Sequence, residues 1–369
     1  MKQGWERKKI KDICDKATSN IAQNKIVGID GDFPVYGASG FVQNVNFYHR
    51  DSAYIGVVKD GAGVGRVNIY PAYSSLLGTL QYILPKEGYL MEYVAYALKG
   101  LNLASHASGA TIPHIYFKNY GEIDIPVPPL SIQERIVEEL DCISGIIEKK
   151  KEQLKELDAL AQSIFYTMFG DPVENDKGWE VKKLGEVCDS VNYGTSSAAK
   201  EGGAFKYIRM NNLTYLGYLD FSDLKAIDAN DSEREKYAVR KGDILFNRTN
   251  SKDLVGKTAL FDQDEEMIIA GYIIRVRVNE SFVQPLYVVR YMNTPYMKSY
   301  FSNLCKGAVN QANINSKELK NIPLPLPPLP RQQEFAKKIE AIEKQKELIK
   351  RSIGEVETLL ASRMQEYFE

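Results

Sequence analysis

Four short segments carry residue types used in catalysis or cofactor binding, and none has the surroundings such chemistry needs. Val255-Gly256-Lys257-Thr258 ends like a phosphate-binding loop. The first glycine of that motif would stand at position 251, which is Ser251, so the run of backbone N–H groups that cradles phosphate is not indicated. Gly61-Ala62-Gly63-Val64-Gly65 has the glycine density of a dinucleotide loop, yet it joins one strand-like run to another and offers no helix N-terminus to a pyrophosphate. Asn293-Thr294-Pro295-Tyr296 approaches the Asn-Pro-Pro-Tyr element of amino-methyltransferases, but the first proline is missing and no glycine-rich cofactor-binding half precedes it. His49, His106 and His114 have no metal-ligand spacing and assemble no conventional triad. Cys14, Cys142, Cys188 and Cys305 contain no C-x-x-C pair, which argues against a disulfide framework and a zinc site. No metal and no catalytic residue is expected. What remains is a set of polar loop residues: Lys59, Arg66, Arg209, Asn211, Asn212, Asn247, Arg248, Asn250, Lys257, Asn310 and Gln311. These are side-chain types that grip phosphates or read base edges. For any single one a solvated loop role is the plainer reading; as a group they form a candidate nucleic-acid surface.

The loops stand at equivalent places in a chain that says the same thing twice. Gly4-Trp5-Glu6-Arg7-Lys8-Lys9-Ile10 returns as Gly178-Trp179-Glu180-Val181-Lys182-Lys183-Leu184, and Cys14 has its mate in Cys188. Pro126-Val127-Pro128-Pro129-Leu130 returns as Pro325-Leu326-Pro327-Pro328-Leu329. Between these marks each half repeats one order of elements. A strand (Ala53 to Val58; Asp243 to Phe246) runs into a polar loop, then Val64-Gly65-Arg66 or Val255-Gly256-Lys257 leads the next strand. A further strand follows, then an aromatic helix centred on Tyr93 to Leu98 or Tyr287 to Met292. The halves read as divergent copies of one α+β domain. Two long, unlike repeats do not make a solenoid, which needs several short stacked units.

Each proline phrase opens a long helix. The first runs roughly from Ser131 to Phe169, with Ser131 and Glu134 spaced as a capping box and Gly170 placed to end it. Its apolar seam is Ile136, Leu140, Ile143, Ile147, Lys150, Leu154, Leu157, Ala161, Ile164 and Met168. The second seam is Phe335, Ile339, Ile342, Lys346, Ile349, Ile353, Val356, Leu360, Arg363 and Tyr367. Steps alternating three and four are the heptad pattern of a coiled coil. A stripe on so charged a helix needs a partner, and the economical partner is the other helix, packed antiparallel. Lys150 and Lys346 each interrupt a seam; a polar seam residue can fix register, or can snorkel and specify nothing. The divisions are residues 1–130 and 171–329 for the two globular domains, and 131–170 and 330–369 for the helices.

A chain of 369 residues with 44% hydrophobic and 26% charged composition reads as a soluble protein of two or three domains. No apolar run reaches membrane-spanning length and the start is not a signal peptide, so a cytoplasmic location without membrane contact is expected. The net charge of −1 means that any basic surface is local, or that a partner supplies part of the positive field.

Taken in order and twice over, these phrases resemble the specificity subunit of type I restriction-modification systems. The likeness covers the whole chain. It rests on the Gly-Trp-Glu openings, on Phe33-Pro34-Val35-Tyr36-Gly37-Ala38-Ser39-Gly40, and on Gly242-Asp243-Ile244-Leu245-Phe246-Asn247-Arg248 with Val255-Gly256-Lys257. It rests also on Pro327-Pro328-Leu329 with Gln332-Gln333. The resemblance implies two pseudo-symmetric α+β target-recognition domains separated by a long antiparallel two-helix coiled coil, each domain reading one half of a bipartite DNA target. It further implies that the helices set the spacer and dock two methyltransferase (M) subunits, with restriction/translocase (R) subunits joining for cleavage. S-adenosylmethionine would sit on the methyltransferase subunits, and this chain would be non-catalytic. Recognition domains vary within the family, so base contacts do not carry over. Two other readings stand beside it: a catalytic DNA methyltransferase, disfavoured by the missing cofactor motif, and a coiled-coil scaffold or adaptor without sequence-specific readout, disfavoured by the duplicated polar loops.

Overall fold

The computed structural model describes residues 4–109, 113–251, 254–305 and 312–369. The chain forms two compact units, one of residues 1–153 and 348–369, the other of residues 154–347. In the first, Glu6–Lys9 pairs antiparallel with Asp124–Val127, Glu6 facing Val127. Its main sheet is antiparallel, in the order Cys14–Thr18, Leu80–Pro85, Tyr54–Val58, Val67–Tyr70. The helix Met91–Gly100 buries Tyr93, Val94, Ala95, Ala97 and Leu98 in the core that this sheet covers. A smaller sheet of Gly40–Val45, Phe33–Gly37 and Ser75–Leu76 belongs to a separate apolar cluster around Val35, Tyr54 and Tyr82.

The second unit repeats the plan. Glu180–Lys183 pairs with Pro323–Leu326, Glu180 facing Leu326. The main sheet runs Cys188–Tyr193, Ile273–Val278, Ile244–Asn247, Thr258–Leu260, the same order and sense. The helix Pro285–Met292 buries Tyr287, Val288, Val289, Tyr291 and Met292. Detail is repeated as well as topology. Tyr93 donates its hydroxyl hydrogen to the Pro126 carbonyl at 2.9 Å, and Tyr287 does the same to Pro325 at 2.7 Å. Gln133 accepts from the Leu90 N–H at 3.0 Å and donates to the Pro128 carbonyl at 2.9 Å. Gln332 accepts from the Gln284 N–H at 2.9 Å and donates to the Pro327 carbonyl at 2.7 Å. These glutamines tie each proline phrase to the start of the neighbouring helix, where proline leaves few backbone donors.

The long helices are Leu130–Phe169 and Leu329–Phe368, 40 residues each. In both units they pack antiparallel. In the first unit Glu139 accepts from Tyr367 at 2.6 Å and pairs with Arg363 at 2.9 Å. In the second, Asp158 pairs with Lys346 at 2.6 Å, while Phe165 and Phe169 stack their edges on Phe335. Every apolar residue of the two seams is buried or half-buried, from Ile136, Leu140, Ile143, Ile147, Leu154, Leu157 and Ile164 on one helix to Phe335, Ile339, Ile342, Ile349, Ile353, Val356 and Leu360 on the other.

Each unit takes part of both long helices. Two details differ from the sequence-based expectation. Ser131 is not the N-cap; the helix begins at Leu130, where Pro129 accepts from Ile132 and Gln133. Toward the end of the first helix the fully buried residues are Phe165 and Phe169, while Ile164 and Met168 are half-buried. A helix of 3.6 residues per turn drifts from a strict 3.5-residue seam, and the drift turns the phenyl rings onto Tyr287 and Phe335.

The two seam lysines part company. Lys346 is only 4% exposed. Its ammonium lies 2.6 Å from Asp158, 3.3 Å from Glu343 and 3.1 Å from the Tyr218 hydroxyl, and 4.2 Å from the centre of the Tyr218 ring. It does not snorkel. Lys150 is half-buried and has no ion pair among the described residues.

Candidate nucleic-acid interface

Both units build one hairpin from the strand that precedes the polar loop. In the first unit the Val58 N–H donates to Arg66 O at 2.9 Å and the Gly65 N–H returns to Val58 O at 2.8 Å. In the second, the Asn247 N–H donates to Lys257 O at 2.8 Å and the Gly256 N–H to Asn247 O at 2.9 Å. Gly65 and Gly256 both sit at φ +85°, and a Cβ on either would collide, with the Ala104 backbone in one case and the Phe301 ring in the other. The Val-Gly-[Arg/Lys] phrase is therefore a geometric requirement of the hairpin, which L-residues with a side chain cannot meet without strain. It puts Arg66 and Lys257 in one position. The residue leaving the strand matches too: the Ile115 N–H donates to Lys59 O, and the Ile314 N–H to Arg248 O, both at 2.9 Å. Lys59 and Arg248 are thus equivalents, each followed by a residue that pairs with a short return segment.

Around this frame the expected residues divide. Arg66 is exposed and donates to Ala38 O at 3.1 Å. Arg248 is half-buried, lies over the Tyr193 ring at 4.8 Å and donates to Gly271 O at 3.4 Å. Lys257 lies 4.8 Å from the centre of the Tyr215 ring, and Lys298 lies 5.2 Å from the same ring. Burial pushes the ammonium pKa of both lysines down. Neither has a carboxylate partner among the described residues. Asn250 is half-buried and accepts from the Ser251 N–H at 2.9 Å, and Asn211 is exposed. Lys59 is ion-paired with Asp60, and Arg209 is held by Asp223 at 2.8 Å. Two amides lie inside. Asn212 is 2% exposed; it accepts from the Arg209 N–H at 2.8 Å and donates to Asp220 O at 2.8 Å, so it braces its own loop. Asn247 is fully buried on the strand, its Nδ2 near Leu254 O at 3.5 Å. Both are corrections to the sequence reading: a polar residue in a loop-rich stretch can serve the loop's own backbone. Asn310 and Gln311 lie outside the described residues.

Sequence reasoning passed over several neighbours of this set. His114 Nδ1 lies 2.7 Å from Asp60 Oδ1 beside Lys59, and His114 stacks on Tyr116. At the matching place the Thr249 hydroxyl donates to Asn313 Oδ1 at 2.8 Å. Burial alone would raise the Asp60 pKa, but hydrogen bonds from His114 and Lys59 outweigh it and hold the carboxyl below its ordinary value. The partners are 54 and 64 residues apart in sequence, so only the duplicated hairpin frame could have signalled them.

The tempting motifs resolve into structure. The segment 61–65 lies between strands Tyr54–Val58 and Val67–Tyr70. Asn293-Thr294-Pro295 is a helix–helix joint: Asn293 donates to Thr258 O at 2.7 Å, and Thr294 caps Pro295–Leu304 by accepting from the Met297 N–H. Among the described residues no group of three or more His, Cys, Asp or Glu could hold a metal ion, and no helix is long and apolar enough to cross a membrane.

The fold and the paired hairpins define a tandem α+β protein with one polar, cationic loop site per copy. The chain belongs to the type I restriction modification DNA specificity domain family, whose profile matches residues 2–158 and 176–358. It is 24% identical over 270 residues to the EcoKI specificity subunit of Escherichia coli K12, an alignment covering 69% of this chain and 58% of that protein. With the MjaVIII specificity subunit of Methanocaldococcus jannaschii it shares 25% identity over 82% of this chain and 76% of the relative. Among solved structures, the S subunit of a type I restriction-modification system from M. genitalium superposes with TM-score 0.60 at 14% identity, covering 99% of this chain and 96% of that one. A chain from a study of complex assembly in the type I R-M system gives TM-score 0.57 at 17% identity, covering 99% and 97%. These likenesses fix the fold.

Proposed function

We propose that this chain is the DNA sequence-recognition subunit of a type I restriction-modification complex. Each unit reads one half of a bipartite target in double-stranded DNA. The paired helices set the spacer and dock two methyltransferase subunits, and restriction/translocase subunits complete the assembly. S-adenosylmethionine belongs on the methyltransferase partners, and this chain contributes no catalytic residue. The observation that carries the reading is the repeated hairpin, with Lys59 and Arg66 in one copy and Arg248 and Lys257 in the other at matching backbone positions. A duplicated reader suits a target of two parts, and these side chains contact phosphates and base edges. Family membership points the same way. With a net charge of −1, much of the phosphate affinity is assigned to the partners.

The test is binding to bipartite and scrambled duplexes across a salt series, with and without the methyltransferase partner. The reading expects sequence-selective binding that strengthens when the partner is added and weakens as salt rises. Equal affinity for both duplexes in the assembled complex would leave the chain a scaffold. Tight binding of S-adenosylmethionine by the isolated chain would make it a methyltransferase.

A further inference from the structure

The duplication aligns two residues outside the cationic set, His114 and Asn313. Both stand next to the isoleucine that hydrogen-bonds the carbonyl of the loop's first cation, Lys59 or Arg248. Both cross to the residue after that cation, His114 bridging to Asp60 and Asn313 pairing with Thr249. In both cases the side chain of that residue holds one edge of the planar group. Asp60 takes His114 Nδ1 at 2.7 Å, and the Thr249 hydroxyl takes Asn313 Oδ1 at 2.8 Å. Among the described residues the opposite edge has no hydrogen-bond partner in either copy. His114 is more than one-third exposed and Asn313 is exposed.

A planar polar group locked on one edge and open on the other is what base reading requires, because an edge already oriented loses little freedom on binding. The lock also sets the chemistry. Asp60 is held as a carboxylate by His114 and Lys59, and a carboxylate only accepts, so Nδ1 carries the hydrogen. His114 Nε2 is then the ring's second hydrogen-bonding atom, on the edge away from Asp60, where it can meet a polar atom of a base edge. Asn313, with Oδ1 taken by the threonine, turns Nδ2 outward as a donor for a purine N7 or for O4 of thymine.

Resting on the DNA-reading function proposed above, we infer that His114 and Asn313 are the matched base-reading residues of the two units, and that Asp60 and Thr249 are the positioning residues that aim them. The rule follows that each residue governs its own half-site. The experiment is the methylation motif of the assembled complex for wild type and for His114→Gln, Asn313→Ala, Asp60→Asn and Thr249→Val, with thermal unfolding of each variant. His114→Gln should relax or switch one base of one half-site, and Asn313→Ala one base of the other. The expected loss of discrimination is on the order of five- to 150-fold at that base. Asp60→Asn and Thr249→Val should relax the same bases as their partners, a readout that lost stability alone would not give. A wild-type split motif that folded variants leave unaltered overturns the assignment and spares the function. So does a variant that weakens both half-sites equally. A wild-type complex that marks no split motif overturns the function and the assignment with it. Should a variant fail to fold, His114→Asn or Asn313→Ser, each retaining a polar group, replaces it in the same assay.

Discussion

Replacing Lys346 with Met keeps the aliphatic stem in the seam and removes the charge from a site only 4% exposed. Asp158 then loses its partner at 2.6 Å, Glu343 loses one of two cations, and the Tyr218 hydroxyl loses a donor. Breaking a fully buried pair costs about 3–5 kcal/mol. The full figure does not apply here. Asp158 and Glu343 keep 26% and 30% exposure, so water recovers part of the loss, and Glu343 retains Arg290 at 3.1 Å. The expected cost is about 2–3 kcal/mol. Urea unfolding of Lys346→Met, Asp158→Leu and the double variant measures it as a cycle. The double variant should recover most of the loss, because the unpaired carboxylate is gone and the seam position of Lys346 is apolar. A single-variant loss under about 0.5 kcal/mol, or additive losses, would refute the view that this lysine is a paired seam residue.

Four other outcomes follow. Gln332→Ala leaves the Gln284 N–H and the Pro327 carbonyl without their buried partner and should cost about 2–4 kcal/mol, with Gln133→Ala behaving alike in the first unit; circular-dichroism melts check both. Burial pushes the Cys14 and Cys188 thiols up to about 12, whereas Cys142 is exposed, so alkylation of native protein at pH 8 should label Cys142 first, as peptide mapping would show. Asp60 titrates below its ordinary value, so its ion pairs stabilise the fold above about pH 4 and are lost as pH falls through the lowered folded-state pKa; an Asp60→Asn protein should show a shallower loss of stability on acidification. If the paired helices set the spacer, in-phase insertion of seven residues in each should lengthen it by up to about three base pairs, at 1.5 Å per helical residue and 3.4 Å per base pair, with both half-sites unchanged in the methylation motif.

The sequence exposed most of this fold because duplication repeats its own anchors. The Gly-Trp-Glu openings, the proline phrases and the Val-Gly-[Arg/Lys] hairpins each mark a place where backbone geometry tolerates little substitution, as the positive φ of Gly65 and Gly256 shows. The seams were legible because burial imposes a period on apolar residues. The site was less so. Lys59, Arg66, Arg248 and Lys257 could be matched by their place after a strand, but the pairs Asp60–His114 and Thr249–Asn313 close over distances that no local pattern encodes. Asn212 and Asn247 belong to the residue types that read bases, yet the fold uses both internally, and type alone does not separate those uses. Lys346 looked like Lys150 in sequence; only the arrival of Tyr218 and Arg290 from a distant loop and helix makes one a network centre and leaves the other without an ion pair among the described residues.

Mapping methylated bases in the DNA of cells that carry this chain with its methyltransferase partner tests the central claim most directly. The account predicts a split motif with two specific parts, a fixed unspecified spacer and one methylated base on each strand, which disappears when this chain is deleted. A continuous motif, or a methylation pattern unchanged by the deletion, would contradict it.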